Sequence, residues 1–318
     1  MTAEEGRGVL LMTYGSPRSL DRDDIRAYLA RVRGGREPDV ALVDEFTRRY
    51  QVIGGSPLIE ITRAQAAALQ KTLGWPVEVG MRFSEPSIVT GLAALADRGS
   101  ATVAAIVLSP QYSPLLMNGY GAALQAASRD LGIRAPRVTV ADAWHGQPAF
   151  VGALAARVRH SLARLTTGER EGVRVLMTAH SLPQRVAASE PAYLAQLRET
   201  AEAVAAAAGL PPDRWTFCWQ SAGHEPGDWM KPDFADLMPR IADSGECAVL
   251  VVPVQFLADH LEILYDVDIG AREQADAYGV GFHRIESLNA DPGLIRALAV
   301  VARDTTDRAR SGLATTVS

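Results

Sequence analysis

The chain is poor in cysteine and in long hydrophobic runs. Of its 318 residues only two are cysteines, Cys218 and Cys247, and each lies in or beside an apolar segment rather than in a close pair. That number excludes a disulfide framework and a four-cysteine iron–sulfur cluster, so we expect two buried thiols and no cluster. No stretch reaches the roughly 18 uninterrupted apolar residues of a spanning helix, and the first residues, MTAEEGRG, are acidic where a signal peptide is basic. We therefore expect a cytoplasmic protein.

A strong charge of one sign is also missing. The formal net charge is -5, and no run of Lys and Arg is present that would follow a phosphate backbone or an anionic bilayer. The sequence contains no Walker loop, no dinucleotide glycine fingerprint, no HExxH and no GxSxG. We therefore expect neither a nucleic-acid partner nor the common nucleotide-dependent and hydrolytic mechanisms.

What the sequence does contain is a regular alternation of short apolar runs and longer helical patterns. This alternation is typical of an α/β protein in which helices cover a parallel sheet. The predicted strands are Gly8–Tyr14, Val77–Met81, Thr102–Leu108, Arg137–Val140, Val173–Thr178, Trp215–Trp219, Ala248–Pro253 and Gly281–Ile285. The predicted helices include Asp21–Val32, Ile59–Leu73, Gly119–Leu131, Ala149–Leu165, Pro191–Ala208, Phe234–Asp243 and Pro292–Arg310.

Two pairs of segments indicate that the chain is a duplicated lobe with four strands in each copy. LLMTYGSP ends the first strand of the first half, and VLMTAHSLP ends the first strand of the second half. In the third strands, AAIVLSPQYS aligns without gaps on AVLVVPVQFL, which matches Gln111 to Gln255. We place the boundary between Trp144 and Pro148, so that residues 1–146 form one lobe and residues 147–318 the other.

The carboxyl ends of the predicted strands hold the candidate site. Binding sites in open α/β sheets lie outside these ends, so Tyr14, Gln111, His180 and the segment after Pro253 are expected around one cavity. His180 ends a buried strand before the turn Ser-Leu-Pro, which would hold its ring at that edge. A neutral imidazole there could accept a proton or bind a metal.

A second candidate is the acidic segment DHLEILYD. If this segment begins an α-helix, Asp259, Glu262 and Asp266 share one face at i, i+3 and i+7. Such a face is either a solvated acidic surface or a path that draws in a divalent cation.

Taken together, these segments resemble the ferrochelatase family, and within it the coproporphyrin ferrochelatases. The matching segments are MTYGSP, VRGGREP, RRYQVIGGSPL, TAHSLP, WQSAGHEPGDWMKPD and VPVQFLADHLEILYD, and they run in the expected order along almost the whole chain. The resemblance implies two similar Rossmann-like lobes, each a four-stranded parallel sheet flanked by helices, with a porphyrin in the cleft between them. It also implies an iron substrate, no prosthetic group and a monomer, which could pass its product to a coprohaem-processing enzyme.

The resemblance assigns residues to roles. His180 and Glu262 would act on one face of the macrocycle as base, transient iron ligand or proton acceptor, and Tyr14 would be an axial ligand of iron on the other face. Asp266 would lie on the path of the incoming cation. The residues associated with the propionates or the pocket wall are Ser16, Arg33, Arg49, Ser56 and Tyr120.

The same resemblance suggests coproporphyrin III as the substrate, because YGSP stands where the protoporphyrin branch has an Asn-Leu-Gly type sequence. The chain departs from the family pattern at three places. VIGGSPL lacks one residue before Ser56, Gly34 replaces a second arginine beside Arg33, and Gly270 replaces an acidic residue beyond Asp266, so the cation path could end early or bend to Glu273.

Four other functions stay open. The chain could use protoporphyrin IX, it could insert cobalt or nickel, it could act on sirohydrochlorin, or it could carry porphyrin or haem without catalysis. Relatives that handle cobalt or nickel rely on more histidines, so one well-placed imidazole, that of His180, favours iron.

Overall fold

The computed structural model describes residues 6–223 and 227–311. These residues contain two separate four-stranded sheets, and every strand pair within them is parallel. The strands are β1 (Arg7–Thr13), β2 (Val77–Met81), β3 (Thr102–Val107), β4 (Arg137–Val140), β5 (Val173–His180), β6 (Trp215–Gln220), β7 (Ala248–Pro253) and β8 (Gly281–Arg284). Their order is β2-β1-β3-β4 in one sheet and β6-β5-β7-β8 in the other.

Helices connect the strands and cover the sheets. They are α1 (Arg22–Val32), α2 (Val40–Val52), α3 (Leu58–Leu73), α4 (Ile88–Asp97), α5 (Pro114–Leu131), α6 (Pro148–Arg164), α7 (Thr167–Gly172), α8 (Gln184–Ala187), α9 (Pro191–Ala208), α10 (Phe234–Asp243), a π-helix (Glu262–Ala271), α11 (Arg272–Ala277) and α12 (Pro292–Arg310). The central strands β1, β3, β5 and β7 are mainly apolar and buried, as expected of parallel strands that helices cover on both faces, whereas the edge strands β4 and β8 are half polar. None of the helices in the described residues is long and apolar enough to cross a membrane.

The predicted α/β class and the division into four and four strands are confirmed. The two sheets have the same strand order, which agrees with the duplication indicated by the sequence. The expectation of two buried thiols is correct for Cys218 only, because Cys247 is exposed at the position before β7. Because Cys247 lies outside the strand, its thiol is not covered by the helices that bury the residues of β7.

The chain forms two compact units, and the C-terminal helix belongs to the first. Unit 1 contains the residues up to Trp144 and the described residues from Asn289 onward, and unit 2 contains His145–Leu288. Helix α12 packs on α3 and β3, and the Gln65 side chain donates a 2.7 Å hydrogen bond to the carbonyl oxygen of Asn289. The structure therefore differs from a single division at residue 146. The apolar residues of α12, which include Leu294 and Leu298, are buried in a helix that packs on elements of unit 1.

Candidate active site

His180 is the last residue of β5, and three hydrogen bonds fix its position. Its backbone N–H donates to Oε1 of Gln255 at 2.8 Å, and Nε2 of Gln255 donates to the Tyr193 hydroxyl at 2.7 Å. Nδ1 of His180 lies 2.5 Å from the carbonyl oxygen of Ser181. A carbonyl oxygen only accepts, so Nδ1 carries the hydrogen and the lone pair of the neutral ring is on Nε2.

Nε2 of His180 faces the carboxylate of Glu262, at 3.8 Å from Oε2. His260 makes the same approach from its own Nε2, also 3.8 Å from Oε2. Its Nδ1 is 2.9 Å from the carbonyl oxygen of Ala258, which again leaves the lone pair on Nε2. Two imidazole nitrogens and one carboxylate oxygen thus converge in unit 2, although sequence reasoning assigned only one imidazole to this site.

The shared carboxylate oxygen is buried and lacks a hydrogen bond. Among the described residues, Oε2 of Glu262 has no hydrogen-bond partner, since both imidazole nitrogens lie beyond hydrogen-bonding distance. No group of three or more His, Cys, Asp or Glu side chains in residues 6–223 and 227–311 is arranged to hold a metal ion. The three atoms therefore form an acceptor-rich cluster rather than a closed metal site.

The pKa values in this cluster are coupled. Burial alone would raise the pKa of Glu262, but the charge of His180 and the contact with His260 outweigh it and lower the pKa to about 2. Burial alone would lower the pKa of His260, but Glu262, with a smaller contribution from the Asp266 charge, raises it. A proton bound by the cluster therefore resides on an imidazole while Glu262 stays ionised.

Glu262 begins the π-helix, and this geometry changes the predicted acidic face. In a π-helix the hydrogen bonds run from i to i+5, so residues four or five apart lie on one face and bring Asp266 close to Glu262. Asp259 precedes the helix and accepts a 2.7 Å hydrogen bond from Ser287. The prediction that Asp259 shares the helical face is therefore wrong, because the helix starts after it.

An arginine that sequence reasoning missed holds this helix in place. Arg284, the last residue of β8, makes a bidentate ion pair with Asp268 of the π-helix, at 2.6 and 2.8 Å. The same guanidinium lies 3.4 Å from the Asp259 carboxylate. Arg284 thus connects the segments on both sides of Glu262. No sequence pattern indicated this contact, because the partners are separated by a helix and a strand.

In unit 1, Tyr14 directly follows β1, whereas the predicted strand included it as the last residue. Its side chain is 41% exposed, and its ring centroid lies 4.9 Å from that of Phe83. Tyr120 lies on α5 and is 2% exposed, within the core of this unit. Burial raises the pKa of Tyr120, and the neighbouring Tyr14 adds to this increase. The two tyrosines are thus close enough to influence each other.

The remaining predicted residues of unit 1 have individual surroundings. Ser16 is buried, and its N–H donates to the Ser84 hydroxyl at 3.3 Å. Arg33 directly follows α1 as its C-cap, and among the described residues its buried Nε has no hydrogen-bond partner. Arg49 pairs with Glu45 at 2.7 Å. The hydroxyl of Ser56 accepts from the N–H of Leu58 at 3.4 Å.

The sequence of the whole chain matches a family of known function. The model of the family described as Ferrochelatase matches residues 6–306. The chain belongs to the ferrochelatase family. It is accordingly a metal chelatase of the lyase class, with a place in haem and porphyrin biosynthesis.

Individual relatives agree with this assignment, and a solved structure agrees with the fold. A protein of Deinococcus radiodurans named Ferrochelatase is 38% identical over 95% of this chain and 96% of its own. A protein of Geobacillus sp. (strain WCH70) named Coproporphyrin III ferrochelatase is 35% identical over 94% of this chain and 97% of its own. The solved structure of SirB from Bacillus subtilis with Fe3+ has a TM-score of 0.59 at 13% identity, over 97% of this chain and 98% of that one. At that identity it supports the fold alone.

Proposed function

We propose that this ferrochelatase inserts ferrous iron into coproporphyrin III and releases coprohaem III. The observation that carries the proposal is the convergence of His180, His260 and Glu262 at the carboxyl end of the sheet in unit 2. The substrate is supported by the relatives named Coproporphyrin III ferrochelatase, which are about one-third identical to this chain.

The reaction needs both a proton acceptor and a negative charge. Iron enters as a dication, sheds its waters and replaces two pyrrole N–H protons, so two protons leave for each metal that binds. Glu262 is ionised at neutral pH because its pKa is about 2, and it supplies the charge that attracts a divalent cation. Its weak basicity makes it a poor proton acceptor.

The imidazoles supply the base. Nε2 of His180 and Nε2 of His260 each present a lone pair, since Nδ1 of each ring is held by a backbone carbonyl. An imidazole titrates near neutral pH and can take a pyrrole proton and return it to water in each cycle. The adjacent Glu262 stabilises the imidazolium that forms.

Tyr14 and Asp266 have supporting roles in this proposal. Tyr14 provides a half-exposed phenol at the end of β1, suitable for an axial contact to iron in the product. Asp266 lies on the face of the π-helix next to Glu262, where a carboxylate would guide the cation toward the imidazoles.

An anaerobic assay that offers coproporphyrin III and protoporphyrin IX side by side, each with ferrous iron, tests the substrate. Coproporphyrin III carries four propionates and protoporphyrin IX two, and each charge-assisted contact contributes about 1.5–3 kcal/mol. We expect kcat/KM to be at least about 10-fold higher for coproporphyrin III. Equal values for the two porphyrins would overturn the substrate, and binding of either without turnover would favour a carrier.

A cobalt chelatase is the second candidate, and the second imidazole favours it. Preference for iron rested on a single well-placed histidine, whereas His260 approaches Glu262 as closely as His180 does. Nitrogen ligands bind cobalt more tightly than ferrous iron in the usual order of metal affinities. Parallel assays with Fe2+ and Co2+ decide between them. A kcat/KM for cobalt above that for iron would reject the iron proposal.

A further inference from the structure

Arg82 lies beside Tyr14 because two backbone hydrogen bonds connect the ends of neighbouring strands. Strand β2 ends at Met81, after which the N–H of Arg82 donates to the carbonyl oxygen of Thr13 at 2.9 Å. The N–H of Phe83 then donates to the carbonyl oxygen of Tyr14 at 3.0 Å. The Arg82 side chain is therefore anchored at the same edge of the sheet as Tyr14.

The guanidinium of Arg82 lies among aromatic rings. Its Cζ is 4.7 Å from the ring centroid of Phe83 and 5.4 Å from that of Tyr120, and Phe83 also contacts Tyr14. Cation–π contacts of this kind stabilise a guanidinium without neutralising it. The charge also lowers the pKa of Tyr120, against the larger effect of burial, which shows that it acts at close range.

Gly119 makes this position possible. A Cβ on Gly119 would overlap Nη2 and Cζ of Arg82, so any side chain at position 119 must displace the guanidinium from α5. A glycine inside a helix is less favourable than alanine, because it loses more backbone freedom on folding. Helix α5 is therefore less stable with Gly119 than it would be with alanine, and the guanidinium of Arg82 occupies the volume that the alanine Cβ would fill.

Arg82 also has no carboxylate partner. Within residues 6–223 and 227–311 its side-chain contacts are the two aromatic rings, and no acidic side chain pairs with it. Several other arginines of unit 1 do pair with a carboxylate, for example Arg49 with Glu45 and Arg98 with Glu78. A half-buried guanidinium held by rings alone keeps its five N–H donors and its charge for an anion.

We propose that Arg82 binds a carboxylate of the tetrapyrrole substrate, and that Gly119 is present to leave room for it. This inference rests on the proposed function. A porphyrin carries carboxylates on a flat aromatic ring, and a guanidinium among aromatic side chains fits both features. Neither Arg82 nor Gly119 was among the residues that the sequence indicated.

The first experiment measures binding, so that it does not depend on turnover. The dissociation constant of coproporphyrin III is determined by fluorescence quenching for the wild type and for Arg82→Met, which keeps the unbranched shape and removes the charge. We expect the constant to rise about 10-fold or more, the effect of one lost charge-assisted contact. Arg98→Met, which removes a paired arginine of the same unit, is the control and should change it less than twofold.

The tetramethyl ester of coproporphyrin III separates a carboxylate contact from general damage. The ester is presented to both proteins in the same detergent, and it has no anionic group for Arg82 to bind. We expect Arg82→Met to bind the ester as the wild type does. An equal loss for the acid and the ester would overturn the proposal, because Arg82 would then only support the pocket wall.

A double-mutant cycle with Gly119 tests the geometry. Gly119→Ala should weaken coproporphyrin binding in the wild type by displacing the guanidinium, and it should add nothing in the Arg82→Met background. In that background the alanine should raise Tm, since it favours the helix, which controls for misfolding. Fully additive losses in binding would contradict a shared role.

Iron insertion distinguishes this inference from the function on which it rests. With a saturating metal, Arg82→Met should raise KM for coproporphyrin III far more than it lowers kcat. If the wild type inserts no iron while the difference between acid and ester persists, the proposed function fails and the Arg82 contact stands. If the wild type inserts iron and Arg82→Met leaves KM unchanged, the Arg82 contact fails alone.

Discussion

The two units have the same sheet and carry different chemistry at the same edge of it. In unit 1 the end of β1 presents the aromatic ring of Tyr14 beside the guanidinium of Arg82. In unit 2 the end of β5 presents the imidazole of His180 opposite the carboxylate of Glu262. The fold fixes where a site can form, and the residues after each strand decide what it does.

This difference suggests that the two units contribute to different steps of the reaction. The groups of unit 1 are cationic and aromatic, which suits the holding of an anionic macrocycle. Those of unit 2 are basic and anionic, which suits the handling of protons and a divalent cation. Substitutions in unit 2 are therefore expected to change kcat, and substitutions in unit 1 to change KM or the state of the bound product.

The largest effect is expected from the imidazole and carboxylate of unit 2. His180→Ala should abolish iron insertion while coproporphyrin III still binds, and Glu262→Gln should lower kcat by at least about 100-fold. Anaerobic initial rates and a porphyrin titration measure the two quantities.

A matched pair elsewhere in unit 2 provides the control. His145 and Glu199 also approach each other, at 2.8 Å, but the pair lies at an exposed surface. His145→Ala and Glu199→Gln should leave the rate within about twofold of the wild type. A decrease in kcat of less than about threefold for Glu262→Gln would indicate that Glu262 has a structural rather than a catalytic role.

Removal of the Arg284 guanidinium should have the next largest effect. It would remove the bidentate partner of the partly buried Asp268 and a positive charge beside Asp259, so we expect Arg284→Gln to lower the free energy of unfolding by about 2 kcal/mol. The rate should fall together with stability because Glu262 stands between the two anchored segments. Denaturant unfolding and initial rates measure both.

Arg284→Lys sharpens the interpretation. A lysine keeps the charge but cannot form the bidentate pair with Asp268. We therefore expect Arg284→Lys to regain more of the lost free energy of unfolding than of the lost rate of iron insertion. Recovery of the two in parallel would indicate that Arg284 only stabilises the fold.

How much of this could be predicted from the sequence differs between the strands and the site. Hydrophobic runs placed the strand boundaries within two residues of those observed, because the central strands of both sheets are mainly apolar. The π-helix was missed, since one carboxylate at each third or fourth position fits an α-helix equally well. His260 was missed as part of the site, although it stands two residues before Glu262, because its ring direction depends on the start of that helix.

The pH dependence of stability tests the coupling in unit 2. Glu262 has a lowered pKa, so its contribution is present above its ordinary value of 4.5 and is lost as pH falls toward about 2. His260 has a raised pKa, so its contribution is present below its ordinary value of 6.5 and is lost as pH rises through the raised value. The interaction between Glu262 and His260 therefore contributes most to the stability of the folded protein between pH 4.5 and 6.5.

We expect Glu262→Gln to destabilise the protein more at pH 5.5 than at pH 9. Unfolding by urea at the two values measures this difference, and titration of the His260 ring by NMR should show a lower pKa in the variant. An unchanged His260 titration would show that the two groups are not coupled.

Tyr14 should affect the product more than the rate. Tyr14→Phe removes the hydroxyl and keeps the contact of the ring with Phe83, so we expect kcat within about threefold of the wild type. If Tyr14 is the axial ligand, the absorption spectrum of bound product should shift because iron loses an oxygen ligand. An unchanged spectrum would indicate that Tyr14 packs against the macrocycle without binding iron.

The smallest effect is expected at Arg49, which contrasts with Arg82 within unit 1. Hydrogen bonds from Arg48 and Arg49 lower the pKa of Glu45 to about 2, so Glu45 is ionised at any pH used in an assay and forms an ion pair with the Arg49 guanidinium. A propionate would have to compete with this carboxylate. We therefore expect Arg49→Ala to raise KM for coproporphyrin III less than about threefold. Glu45→Gln should instead lower KM, because it removes a carboxylate charge that competes with a propionate for Arg49. A rise of 10-fold or more in Arg49→Ala would show that Arg49 exchanges Glu45 for a propionate, and the contrast with Arg82 would then disappear.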